Sequence, residues 1–189
     1  MLINELPDTL DDLALAASAG DVRSPGLHLS QIIRSIMRTM DPETYKEGPV
    51  NPLYTDPGFT FERVLEMAWS SRMADLFRPG EFELDGITGS PDYVDFRSGN
   101  VVLVESKMTE MSMKGCPTET KFKKWLWQIA GYCKMLDTRY ARLHVLFLRG
   151  DYKAVRRAYK VYEIEWTPAE LDHTWAMLVQ HARDKGWLR

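Results

Sequence analysis

The sequence predicts an α/β protein with a mixed sheet. Two observations carry this: hydrophobic periodicity shifts from helical to alternating and back, and the chain ends in a strongly signalled helix. Helical patterns run over 8–19 and 29–40, with Gly20 ending the first and Ser30 a plausible cap for the second. Residues 41–57 contain four prolines and no periodicity, as in a long surface loop. Helical period returns over 59–77, where Phe61, Leu65, Ala68, Trp69 and Leu76 can share a buried stripe, and Pro79-Gly80 stops it. Residues 81–87, 91–96 and 101–107 then read as a three-strand meander, with a turn at 98–100. A helix over 119–136 and strands over 141–148 and 157–166 follow. Thr167-Pro168-Ala169-Glu170 combines a cap, a proline at the first helical position and a glutamate three residues after the cap, so a last helix begins there and runs to about Lys185.

The 189 residues, 44% hydrophobic and 27% charged, can bury a real core and exclude wholesale disorder. No apolar run reaches the length of a membrane span, and no basic-then-apolar leader opens the chain, so neither a membrane location nor export is expected. Two cysteines, Cys116 and Cys133, are too few for a disulfide framework or a four-cysteine metal or iron–sulfur site, and suit a reducing cytoplasm.

The net charge of −3 conceals an asymmetry. Residues 1–106 carry 8 basic and 18 acidic side chains, a balance of −10; residues 107–160 carry 13 and 4, a balance of +9. A basic stretch can be a solvated helix face and strand edge, or a surface that meets phosphates. Lys114, Lys121, Lys123 and Lys124, with Trp125 and Trp127, suit a phosphate-plus-stacking surface as well as they suit a helix with one buried Trp. Arg149, Lys153, Arg156 and Arg157 are open to the same two readings. His144, inside an apolar strand, reads as a satisfied core residue.

The most informative stretch is 89–107. Asp92 precedes a strand, and the chain turns and returns through Val101–Val104 to present Glu105, Ser106 and Lys107. Alternation puts Glu105 and Lys107 on one face, and a hairpin partner brings Asp92 within reach. Burying like charges is costly unless a cation neutralises them, and carboxylate oxygens favour a hard divalent ion such as magnesium or manganese. Such an ion acidifies bound water and stabilises developing charge on phosphate. Lys107 can orient or deprotonate that water. The plain alternative is a salt bridge between Glu105 and Lys107 at a strand end.

Pro91-Asp92 followed by Glu105-Ser106-Lys107 resembles the core motif of the PD-(D/E)XK nuclease superfamily. Gly58-Phe59-Thr60-Phe61-Glu62 resembles the family's helical GxxxE element, and Gly89-Ser90-Pro91-Asp92 its GxPD form. Gln128-Ile129-Ala130-Gly131-Tyr132 resembles the QxxxY motif of the RecB-like and lambda-exonuclease-like branch. His28-Leu29-Ser30-Gln31 is weakly similar to that branch's LSxSQ opening. The likeness spans residues 28 to about 150, and its motifs come in the expected order.

The resemblance implies a restriction-endonuclease-like core, a central mixed β-sheet flanked by helices, in one domain over 1–189. Within it, 1–57 would be N-terminal helices and loop, 58–166 the nuclease core and 167–189 a C-terminal helix. It implies that Asp92, Glu105 and the Ser106 backbone carbonyl hold Mg2+, with Mn2+ as substitute. Glu62 would join them, with Glu66 a competitor one turn on. Lys107 would position water, and Gln128 and Tyr132 would line the site. Lys114, Lys121, Lys123, Lys124 and Trp125 would bind DNA. The implied activity is phosphodiester hydrolysis by an exonuclease acting on DNA ends in recombination or repair, of phage or prophage type, in the cytoplasm of a bacterial or phage-infected cell. A single-strand-annealing or recombination partner and a homo-oligomer would accompany it. A structure- or sequence-specific endonuclease and a non-catalytic DNA-binding subunit of the same fold are the alternatives. The iron–sulfur relatives are excluded by cysteine count.

Overall fold

The computed structural model describes residues 24–45, 58, 61–62, 64–65, 67–69, 76–96, 99–151 and 157–189. The helix expected over 8–19, most of the proline-rich stretch, Glu66, Lys153 and Arg156 lie outside these residues. Among the described residues no helix is long and apolar enough to cross a membrane.

Strand β1 (Leu27–His28) leads directly into helix α1 (Leu29–Met40). His28 occupies the cap position with extended backbone and no side-chain cap bond, so Ser30 falls inside the first turn instead of capping it. Ile32, Ile33, Ile36 and Met37 form the buried stripe; Met40, at the helix end, is exposed. The described residues of 58–69 are helical, with Leu65 buried, Phe61 and Trp69 half-buried and Ala68 exposed. Leu76 belongs instead to a short strand, β2 (Leu76–Phe77).

The expected meander is divided between two sheets. Strands β3 (Phe82–Leu84) and β4 (Ile87–Gly89) form a hairpin across Asp85 and Gly86, both at positive φ (52° and 76°). That geometry suits a two-residue loop matched to strand twist, and Asp-Gly is its preferred dipeptide. A run read as one strand over 81–87 is thus broken by its own turn signal. The hairpin and β1 make a three-stranded sheet in the order β1-β4-β3. Trp175 Nε1 donates to the Asp85 carboxylate at 2.7 Å, tying the hairpin tip to the last helix.

The larger sheet has the order β2-β5-β6-β7-β8, with β5 (Tyr93–Asp95), β6 (Val102–Thr109), β7 (Tyr140–Phe147) and β8 (Ala158–Glu165). Only β6 and β7 pair in parallel among these neighbours. Their connection runs through a 3-10 turn, Thr120–Phe122, and helix α2 (Lys123–Met135), as parallel pairing requires. Helix α3 (Pro168–Asp184) starts with the expected reciprocal cap: Glu170 N–H donates to Thr167 Oγ1 and Thr167 N–H donates to Glu170 Oε2. The core lies between this sheet and the three helices, and includes Ile32, Leu103, Ile129, Leu143, Val145, Phe147 and Leu178.

His144 lies on the less buried face of β7, where Ala141, Leu143, Val145 and Phe147 take the buried side. Its Nδ1 lies 2.5 Å from Tyr159 Oη, and its ring meets the edge of Trp69. Burial, then Arg142, lowers its pKa to about 4, so it is a neutral, hydrogen-bonded structural residue at pH 7.

Candidate active site

Pairing in the larger sheet sets the geometry. Tyr93 is opposite Val104 in antiparallel register, which brings Asp92, one residue earlier, alongside Glu105 and Ser106. The carboxylate of Asp92 accepts from both Ser106 N–H and Ser106 Oγ through Oδ2, each at 2.8 Å. Where the sequence suggested only a backbone carbonyl, the Ser106 hydroxyl and amide anchor Asp92. Nothing in the ExK spacing signals that hydroxyl.

Glu105 is 1% exposed, at the end of the fully buried part of β6. Lys107, two residues on and on the same face, donates from Nζ to Glu105 Oε1 at 2.5 Å. Glu105 Oε2 is buried without a hydrogen-bond partner. Glu62 comes from the 58–69 helical segment, takes a 3.4 Å hydrogen bond from Arg78 Nη2, and has its backbone oxygen bonded by Tyr93 Oη. Arg78 also lies over the Tyr93 ring. This arginine was not legible in the sequence, because its contact with Glu62 spans sixteen residues and depends on β2 pairing with β5.

Helix α2 supplies the opposite wall. Gln128 Nε2 donates to Tyr132 Oη at 2.9 Å, as residues four apart on one helix face can. Glycine is required at two nearby places for close approach. A Cβ on Gly89 would lie 2.6 Å from Met135 Sδ and 2.9 Å from the Tyr132 ring, and one on Gly131 would lie 2.6 Å from Leu29 Cδ2. These glycines let β4 and α1 press against α2. The resulting cleft, about 320 Å³, is lined by Glu62, Asp92, Glu105, Lys107, Gln128 and Tyr132, together with His28, Ser30, Glu81 and Thr88. All six predicted site side chains thus face one cavity.

Its electrostatics are strained. Burial, then the Asp92 charge, raises the Glu105 pKa to about 8 against the opposing pull of Lys107. Burial, then Asp92, raises Glu62 to about 7. Burial works against the Lys107 ammonium, but Glu105 and Asp92 outweigh it and hold Lys107 above the ordinary lysine value. Burial, then Glu105, pushes up the Tyr132 phenol, so it remains a neutral donor.

Among the described residues no group of three His, Cys, Asp or Glu side chains is drawn together closely enough to hold an ion as it stands. Glu105 is turned to Lys107 and Asp92 to Ser106. The donor set nonetheless fits a hard divalent cation: Glu62, Glu81, Asp92 and Glu105 line one cleft, burial and neighbouring carboxylates disfavour the charge of Glu105 and Glu62, and a buried Glu105 oxygen lacks a donor.

The proposed DNA-binding set is dispersed. Trp125 is 6% exposed and packs on Phe122, so it presents no face for a base. Lys121 pairs with Glu119 at 3.0 Å. Lys114 is exposed in the loop after β6, and Lys123 is half-buried at the start of α2. Lys124 is half-buried beside the Tyr45 ring, over which its Nζ lies, and burial, then Lys107 and Arg34, lower its pKa. Helical geometry explains the scatter, because consecutive residues point around the helix, not to one side.

No family model and no curated protein matches the chain. Solved structures do. The chain is similar to LHK-Exo, an alkaline exonuclease from Laribacter hongkongensis solved in complex with dAMP, with 14% identity, 92% of this chain and 93% of that chain covered, and a TM-score of 0.53. It is also similar to a phage-related exonuclease from Haemophilus somnus 129PT, with 15% identity, coverage of 82% and 79%, and a TM-score of 0.50. These likenesses concern fold: the chain shares the mixed α/β architecture of these two solved exonuclease structures.

Proposed function

We propose that this chain is a divalent-metal-dependent DNA nuclease, acting as an exonuclease on DNA ends in recombination or repair. The observation that carries the reading is Glu105: a carboxylate buried at a strand end, one oxygen on Lys107 and the other lacking a partner, in a cleft shared with Asp92 and Glu62. Such an arrangement is costly for a fold to keep without a use for it. The exonuclease descriptions of the structural neighbours support the choice of reaction.

In this reading Asp92, Glu105 and Glu62, with the Ser106 carbonyl, would hold Mg2+ or Mn2+. That cation would supply Lewis-acid polarisation of a phosphate oxygen and a lowered pKa for water. The chain's own groups do the rest. Ser106 fixes Asp92. Lys107, kept as an ammonium, donates a hydrogen bond and positive charge to the attacking water or the developing phosphorane, a role of orientation and not of proton abstraction. Gln128, braced by Tyr132, contacts the nucleotide at the cleavage point. Water attacks phosphorus in line, the bond to the 3′ oxygen breaks, and a 5′-phosphate and a 3′-hydroxyl result.

The test is digestion of end-labelled linear duplex, single strand and covalently closed circle with Mg2+ or Mn2+, with Glu105→Ala as control. Cleavage of linear DNA alone, lost in the variant and with chelator, is expected. Cutting of the closed circle would make the protein an endonuclease; binding without cutting in any metal would make it a non-catalytic subunit.

A further inference from the structure

A second groove adjoins the cleft. It has a volume of about 510 Å³ and runs between the polar face of α1 and the turn after α3. Arg34 and Arg38 line one wall, Lys185 and Trp187 the other, and Ser30 is shared by this groove and the cleft. Among the described residues, Asp and Glu contribute nothing to its lining, in a chain whose net charge is negative. Arg34 and Arg38, one turn apart, stand about 6 Å apart along the helix, a repeat similar to that of successive phosphates.

The walls are held in place. His181 Nε2 lies 2.9 Å from Ser35 Oγ, joining α3 to α1, and the His181 ring meets the edge of Trp187. Trp187 is no frayed end. Gly186, at φ 70°, donates to Arg183 O and Trp187 N–H donates to Ala182 O, the paired bonds of a left-handed helix stop. With 38% of its surface exposed, the indole keeps an open face.

A run of cations with hydroxyl neighbours and an open indole suits a polymer of phosphates and aromatic bases. We propose that this groove binds a single nucleic-acid strand leading from the cleft, with Arg34, Arg38 and Lys185 on its phosphates and Trp187 stacked on a base. The connection to the cleft rests on the nuclease reading above; binding itself can be measured without it.

The experiment is fluorescence anisotropy of a labelled thymidine oligonucleotide of about fifteen nucleotides, in EDTA, over a salt series. Arg34→Gln/Lys185→Gln should weaken binding about tenfold at moderate salt and reduce the slope of log K against log salt by about 1.4, for two phosphate contacts on a single strand. Trp187→Leu should weaken it about five- to a hundredfold with the slope retained. Lys160→Gln, an equal loss of charge per site on exposed β8, should do neither, and Arg34→Lys/Lys185→Arg should restore the slope. Binding and slope in both test variants equal to those of Lys160→Gln would overturn the proposal, as would failure of the wild-type chain to bind. Cleavage of DNA with groove variants that bind normally would leave the nuclease reading standing alone. Groove-dependent binding without cleavage in any metal would leave the groove standing alone.

Discussion

Ser106 is the side chain whose importance the structure adds. Its hydroxyl and amide both reach Asp92 Oδ2, so it sets where that carboxylate points. Groups that orient a metal-holding carboxylate typically matter 10- to 100-fold for metal affinity. Ser106→Ala is expected to weaken Mn2+ binding by about that factor in calorimetric titration while leaving the far-ultraviolet circular dichroism unchanged. Unaltered affinity would show that the amide alone suffices. Asp92, Glu105 and Lys107 were legible because two charged residues and a proline-flanked aspartate stand around an apolar strand. Arg78 and the Ser106 hydroxyl were not, because each acts through a partner set by strand pairing.

At the scale of elements, the cleft depends on close contact between α1, β4 and α2. Gly131 has no room for a side chain on the Leu29 side. Gly131→Val should therefore cost about 1–3 kcal/mol, despite glycine's poor helix propensity, and lower Tm by several degrees. Leu29→Ala in that background should recover part of the loss, as a double-mutant cycle on thermal melts would show; strict additivity would mean that the two do not meet. Element type was readable where periodicity was long, as in α1, α2, β6 and α3. It failed at the β3–β4 hairpin, where Asp85-Gly86 signalled a turn inside an apolar run. It failed again at Leu76, which extends the helical pattern of the preceding stretch but pairs with Asp95 across the chain. Local pattern cannot report that competition, because the strand is stabilised by a partner nineteen residues away.

For the molecule as a whole, the cleft couples ionisation to stability and, under the proposed function, to cation binding. Glu105 and Glu62 have folded pKa values of about 8 and 7, raised from an ordinary 4.5. A raised carboxyl contributes stability that is fully present below about 4.5 and lost as pH rises through 7 to 8. Metal-free protein should thus melt at progressively lower temperature between about pH 5 and 8. Mn2+ should reverse the decline, and its affinity should rise over the same interval as protons are released. Glu105→Gln should stabilise the metal-free protein at pH 9 by about 1–3 kcal/mol and flatten the pH dependence, measured by calorimetry. A metal-free Tm that rises with pH would contradict the buried-carboxyl picture.

The sequence alone determined the chemistry on offer: which carboxylates, lysine, glutamine and tyrosine are present, in what order, and on which helices and strands. Those properties are local, written in spacing and periodicity. Only the tertiary structure decided which of them share a cavity, that the sheet is divided in two, that Trp125 is core, and that Arg34, Arg38, Lys185 and Trp187 line one groove though about 150 residues separate its walls. Such groupings arise from strand register and helix packing, which depend on many weak long-range contacts acting together, and no short window of sequence contains them.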